Sequence, residues 1–238
     1  MKFTEVNPFD NKVQKEINKS ILSTVKKKDF ILGENVRKFE MKFSKLINSK
    51  YAIGCATGTD ALLLALKTLN LKKNHEIIIP GISYISTGLC VSLNNNKIIF
   101  ADIDENTGLI CLESIKKKLS KNTKVIIPVN LYGQKVDILK LRKIVGKKIF
   151  IVEDSAQSHF SSICNNCKKT DHKSCFLGEK SHKSADLSCY SFYPSKNLGA
   201  YGDGGIVTTE NSNLYKKIFI LRNLGSTKKN NHKYEGLN

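Results

Sequence analysis

The chain has 238 residues, 40% hydrophobic and 25% charged, the proportions of a globular protein with one sizeable core. Its net charge of +18 is nearly all Lys, with Arg only at positions 37, 142 and 222. Dispersed lysines, among abundant Asn and Ile, lack the Arg forks and interleaved aromatics of nucleic-acid readers, so no nucleic-acid partner is expected. No apolar run is long enough to span a membrane, Met1 to Asp10 has no apolar signal-peptide core, and the seven cysteines, an odd number with four scattered and Cys164, Cys167 and Cys175 clustered, do not form a secreted disulfide framework. The reading is a cytoplasmic protein with no membrane partner.

Apolar residues at Val13, Ile17, Ile21, Leu22 and Val25 predict a helix over Val13 to Lys27. After the Gly33 break, Val36, Phe39, Phe43, Leu46 and Ile47 predict a second over Glu34 to Ile47. From Tyr51 the pattern alternates. Strands are expected over 51–55, 76–80, 97–101, 125–128 and 149–152, and helices over 59–69, 86–93, 112–119 and 138–145. Such alternation implies an α/β fold, a mostly parallel sheet with helices on both faces, because parallel strands need long crossovers. Regularity lapses in a polar, Lys- and Cys-rich stretch, read as an inserted loop at about 163–184. It resumes with strands over 186–192 and 205–208 and a helix over 212–224. The last residues, 228–238, are read as polar chain without a closing element.

Three segments can carry chemistry. Gly54-Cys55-Ala56-Thr57-Gly58-Thr59 joins a strand end to a helix start, where free N–H groups and the helix dipole suit a phosphate; taken alone, the plainer reading is an ordinary turn with Thr57 or Thr59 as its N-cap. Glu153-Asp154 puts carboxylates at the carboxyl end of a buried strand, where ligands of open α/β sheets gather; the plainer alternative is Asp154 capping a following helix. In Ser191-Phe192-Tyr193-Pro194-Ser195-Lys196-Asn197-Leu198-Gly199, one Lys lies among aromatics, a Pro and Gly. An amine held partly away from water loses proton affinity, as a Schiff-base lysine must.

Together with Phe30-Ile31-Leu32-Gly33, Phe39-Glu40, Gly58-Thr59-Asp60-Ala61-Leu62, Pro80-Gly81-Ile82-Ser83-Tyr84, Asn130-Leu131-Tyr132-Gly133-Gln134, Glu153-Asp154-Ser155-Ala156-Gln157 and Leu221-Arg222-Asn223-Leu224-Gly225, these segments resemble the DegT/DnrJ/EryC1/StrS family of sugar aminotransferases. The resemblance implies the large domain of a fold-type-I pyridoxal-phosphate enzyme and a homodimer with shared sites. It implies that Lys196 holds the cofactor covalently and moves a proton, and that Asp154 keeps the pyridine nitrogen protonated. It further implies that Gln157 meets the ring oxygen, Tyr84 stacks on the ring, and Gly58, Thr59 and Ser191 take the phosphate. Asn238 resembles an Asn that reaches the neighbouring subunit's phosphate. The implied reaction passes an amine from an amino acid, usually glutamate, to a nucleotide-linked keto-sugar. Related sugar dehydratases carry His where this chain has Lys196.

Two features depart from the family. Its chains continue into a smaller C-terminal domain that is absent from this sequence, which leaves open a cofactor-binding or structural domain without turnover. The insertion carries Cys164, Cys167, His172 and Cys175, soft ligands that a zinc ion could use, with a short last gap. His75 and His232 are read as structural or solvent-facing. His159 is close enough to Gln157 to lie near the site.

Overall fold

A computed structural model of the chain describes residues 10–161, 185–228 and 230–237. The expected insertion, the candidate metal ligands Cys164, Cys167, His172 and Cys175, and Asn238 lie outside the described residues.

The amphipathic segments form α1 (Asn11–Lys27) and α2 (Glu34–Leu46), the first capped by Asp10, whose side chain accepts from the Lys12 and Val13 amides. The apolar runs form β1 (Tyr51–Cys55), β2 (Glu76–Pro80), β3 (Lys97–Ala101), β4 (Thr123–Ile126), β5 (Phe150–Asp154), β6 (Leu187–Ser191) and β7 (Gly205–Thr209). Between them run α3 (Gly58–Thr68), α4 (Ile85–Leu93), α5 (Leu112–Lys118) and α6 (Ile138–Val145), and α7 (Ser212–Leu221) follows β7. The strands make one seven-stranded sheet in the order β1-β7-β6-β5-β4-β2-β3. Only β7 runs against the others.

Successive strand residues face opposite layers. Ile77, Ile79, Val125, Val152 and Val207 pack against α3, α4 and α7, whereas Ile78, Ile126 and Ile151 pack against α5 and α6. A third cluster joins Phe43 and Ile47 at the end of α2 to Ala52, Tyr190 and Ile206 of the sheet. Each fully buried Ile or Leu contributes roughly 1.5–3 kcal/mol. Helices therefore cover both faces, as the alternation predicts.

The ion pair between Arg222 and Glu40 fastens α2 to the end of α7, and both residues also bond β1: Glu40 accepts from the Gly54 amide at 2.7 Å and Arg222 donates to the Gly54 carbonyl at 3.1 Å.

The C-terminal expectation is corrected. Residues after α7 fold back as β8 (Ser226–Lys228) and β9 (Asn231–His232), and the Leu237 amide donates to the Leu221 carbonyl while Leu224 donates to Leu237, each at 2.8 Å. Gly225 permits the reversal. It has φ +69°, and a Cβ there would lie 1.9 Å from the Tyr234 carbonyl oxygen. The predicted helix to Leu224 accordingly stops at Leu221. A polar sequence concealed a closure built from backbone bonds.

Candidate active site

A cavity of about 340 Å³ opens where β1, β5 and β6 end, at their carboxyl edge. Gly58, Thr59, Tyr84, Asp154, Gln157, Ser191 and Lys196 all line it, so the sequence candidates in the described residues come together in one place.

The first wall is the start of α3. Thr57 caps the helix, its hydroxyl accepting from the Asp60 amide at 2.9 Å, and the Thr57 carbonyl takes the Ala61 amide. The amides of Gly58 and Thr59 precede these donors, at the positive end of the helix dipole. Gly58 lies so close to β6 that a Cβ would sit 2.5 Å from the Ser191 Cβ. The plain cap reading is thus correct for Thr57 and coexists with an anion cradle of two amides and the Ser191 hydroxyl. Thr59 is no cap; its hydroxyl bonds Ser86 at 2.8 Å.

The floor is Asp154, the last residue of β5 and 6% exposed. It starts no helix: its backbone is held by Pro128 and Asn130, and the chain turns after it. Its carboxylate accepts from the Thr87 hydroxyl at 2.9 Å and the Ala156 amide at 3.2 Å, and Thr87 in turn bonds Ser83 at 2.7 Å. Burial pushes the Asp154 carboxyl above its ordinary range, while these two hydrogen bonds and the Lys196 charge pull it back. A cation brought to the floor would favour the ionised form.

Lys196 is half-buried on the 192–204 loop joining β6 to β7, anchored where Phe192 and Gly204 bond at 2.7 Å. Gln157 accepts from the Tyr132 amide at 2.8 Å, which leaves its NH₂ group for a ligand. Tyr84 lines the cavity and is 70% exposed.

His159 is 6% exposed, its ring against Tyr190 and Phe192; burial holds it neutral, down to about 4. His75 and His232 make local contacts with the Lys72 amide and the Leu224 carbonyl. The thiols of Cys90 and Cys189 are pushed up by burial, Cys90 to about 12, which suits packing rather than reactivity.

The donor set fits pyridoxal phosphate: an anion cradle on one wall, a buried carboxylate beneath and a single amine opposite. Sequence reasoning missed Thr87, Ser83 and Ser86. Ser86 and Thr87 are in the first turn of α4 and Ser83 just precedes it, and their hydroxyls look like any Ser or Thr at a helix start until the fold brings Thr87 onto Asp154 of β5. No helix in the described residues is long and apolar enough to cross a membrane.

Residues 11–238 match the model of the DegT/DnrJ/EryC1/StrS aminotransferase family. The whole chain is 31% identical to UDP-2-acetamido-2-deoxy-3-oxo-D-glucuronate aminotransferase of Pseudomonas aeruginosa, covering 63% of that protein. It is 35% identical, over 99% of its length and 62% of the relative's, to dTDP-3-amino-3,6-dideoxy-alpha-D-galactopyranose transaminase of Aneurinibacillus thermoaerophilus. The fold superposes on the crystal structure of S. venezuelae DesV in complex with ketimine intermediate with a TM-score of 0.84 and 28% identity, covering 99% of this chain and 62% of that one. The chain thus spans under two thirds of the length of these relatives. With a family model matched from α1 to its last residue and the same fold in a solved relative, the chain belongs to the DegT/DnrJ/EryC1/StrS aminotransferase family.

Proposed function

We propose that this chain is the cofactor-binding part of a pyridoxal-phosphate-dependent aminotransferase that passes an amino group from an amino acid, with glutamate the expected donor, to a nucleotide-linked keto-sugar for polysaccharide assembly. The observation that carries the reading is the convergence of Lys196, Asp154 and the α3 amides on one cavity, in a family whose relatives are named as aminotransferases of UDP- and dTDP-linked sugars.

Pyridoxal phosphate, when bound, supplies an electron sink for the carbon that loses its proton. Gly58, Thr59 and Ser191 would bind its phosphate, and Gln157 its ring oxygen. Asp154 would keep the pyridine nitrogen protonated, and that cation offsets the burial cost of the carboxylate. Tyr84 would cover the ring face and exclude water. Lys196 would hold the cofactor and, once displaced by the incoming amine, move a proton as base and then acid. Its primary amine favours transamination over the dehydration named for another relative, GDP-4-keto-6-deoxy-D-mannose 3-dehydratase of Escherichia coli.

A homodimer is part of the proposal. Ile85, Leu89 and Leu93 recur along α4 and are exposed beside cavity residues Tyr84 and Ser86, an apolar strip that a second copy would cover. The described cysteines are free thiols, which supports a reducing, cytoplasmic setting.

The test is reconstitution with pyridoxal phosphate, borohydride reduction and peptide mass analysis, then assay of nucleotide keto-sugars with glutamate. Label on Lys196 with amine transfer supports the reading. Label on another lysine, or none on the folded chain, overturns it.

A further inference from the structure

Behind Asp154 the protein buries a second carboxylate. Glu153 precedes it on β5, so the two side chains face opposite layers. Glu153 is completely buried, and the Lys135 ammonium pairs with its Oε1 from a side chain only 1% exposed. Asn130 donates to the same oxygen at 2.7 Å and Ser188 to Oε2 at 2.8 Å.

Lys135 follows the turn Leu131–Gly133, whose Tyr132 amide holds Gln157 at 2.8 Å and whose Leu131 lines the cavity. Asn130, before the turn, also donates to Ser155 and accepts from the Val136 amide, at 3.0 and 2.9 Å. One ion pair therefore bridges β5 and the loop that positions a cavity residue. Among the described residues, the groups that act on the two carboxylates include Lys135, Lys196, the Cys90 and Cys189 thiols and the Tyr190 phenol. The Glu153 charge raises Asp154, so a partner that cancels it matters to the site.

We propose that Lys135 is a positioning residue for the cofactor site, acting through Glu153: its ammonium cancels the buried charge behind Asp154 and ties the Leu131–Gly133 turn to β5. This rests on the reading of Asp154 as the group that meets the pyridine nitrogen. Removing the ammonium withdraws a counter-charge from two neighbouring carboxylates in a low-dielectric interior, where they compete for ionisation. Removing both members restores neutrality, and neutral replacement of a buried pair is often tolerated.

Three variants test this: Lys135→Met, Glu153→Gln and the two combined. The first measurement is ¹³C carboxyl titration of the cofactor-free chain, which is independent of turnover. Lys135→Met is expected to raise the first proton uptake of the Glu153–Asp154 pair by about one unit or more. Glu153→Gln, which removes the negative charge behind Asp154 and keeps the ammonium, is expected to lower the Asp154 midpoint, and the double variant to return it toward the parent value. Pyridoxal phosphate affinity, read by visible absorbance, should fall about tenfold in Lys135→Met and largely recover in the double variant.

Unshifted carboxyl midpoints in the folded single variants, or a double variant as impaired as Lys135→Met, would overturn the proposal. If Lys135→Met does not fold, Glu153→Gln decides by the sign of the Asp154 shift. A parent chain that binds no pyridoxal phosphate sinks the functional reading, and the carboxyl titrations still judge the electrostatic role.

Discussion

Asp154 and Glu40 are both carboxylates set against the sheet, and the protein treats them oppositely. Glu40 receives the Arg222 guanidinium directly, plus the Gly54 amide, and joins α2, β1 and α7. Asp154 receives a hydroxyl and an amide, both neutral, and opens onto a cavity with Lys196 among its walls. A carboxylate given a full counter-charge is cohesive, because its electrostatic demand is met within the fold. A carboxylate given only neutral donors keeps that demand available to a cationic ligand, at a cost in stability that burial makes plain.

The comparison breaks most severely at Lys196. Lys196→Ala should leave the fold intact and slow the half-reaction with glutamate by about 10⁴-fold, the upper end for a positioned acid–base group; single-turnover absorbance would measure it, and a rate near the parent's would remove Lys196 from the chemistry.

Arg222→Met tests the cohesive side. Stranding Glu40 should cost about 3–5 kcal/mol in urea unfolding. Pyridoxal phosphate binding by the folded fraction should be unchanged. A loss below about 1 kcal/mol, the range of an exposed pair, would show that the clasp is not structural.

Asp154→Asn should give the reverse pattern. The cofactor-free variant should melt no lower than the parent, since a buried charge has gone, while proton removal from the amino donor slows on the order of a hundredfold. A variant that melts much lower with an unchanged rate would place Asp154 with Glu40 on the structural side.

The smallest effect is confined to acid. His159 has its folded value depressed to about 4 from 6.5, so the unfolded chain binds more protons between those limits. Its contribution is present above pH 6.5 and is lost as pH falls to 4. The raised Asp154 works in the opposite sense, protonation relieving its burial. His159→Gln should therefore flatten the decline in melting temperature across this window, each protein being compared with its own value at pH 7.5. An unchanged slope would mean that His159 is protonated in the native state.

Most of the layered fold was legible because short, fully apolar runs of strand length alternate with longer helical stretches at the spacing that parallel crossovers need. Asp154, Gly58 and Lys196 were legible because strand ends, helix starts and a Gly-rich aromatic loop each narrow where a residue can sit. Their convergence rested on the family resemblance, since three segments far apart in sequence do not announce a shared cavity. Thr87 was not legible, as one helical hydroxyl among many. Nor was Lys135, an unremarkable lysine in a lysine-rich chain until the turn at Leu131–Gly133 inserts it against Glu153. The closure of 226–237 escaped because backbone hydrogen bonds leave no periodic trace in side chains.

The reversed strand also sets an order of assembly during synthesis. Among the described residues β1 pairs with β7 alone, Tyr51 opposite Thr209 and Cys55 opposite Gly205. At ordinary ribosomal speeds the stretch between these partners takes roughly ten to thirty seconds to emerge. Until then β1 has no strand partner among the described residues, and α3, with Leu62, Leu64 and Leu66 destined for the core, lacks the two strands, β6 and β7, that complete its cover. Ser191, which faces Gly58 across the cradle, also comes late. The nascent chain therefore carries an apolar helix and an open strand edge while its ligand site is still unformed, the condition in which chaperone capture competes with aggregation.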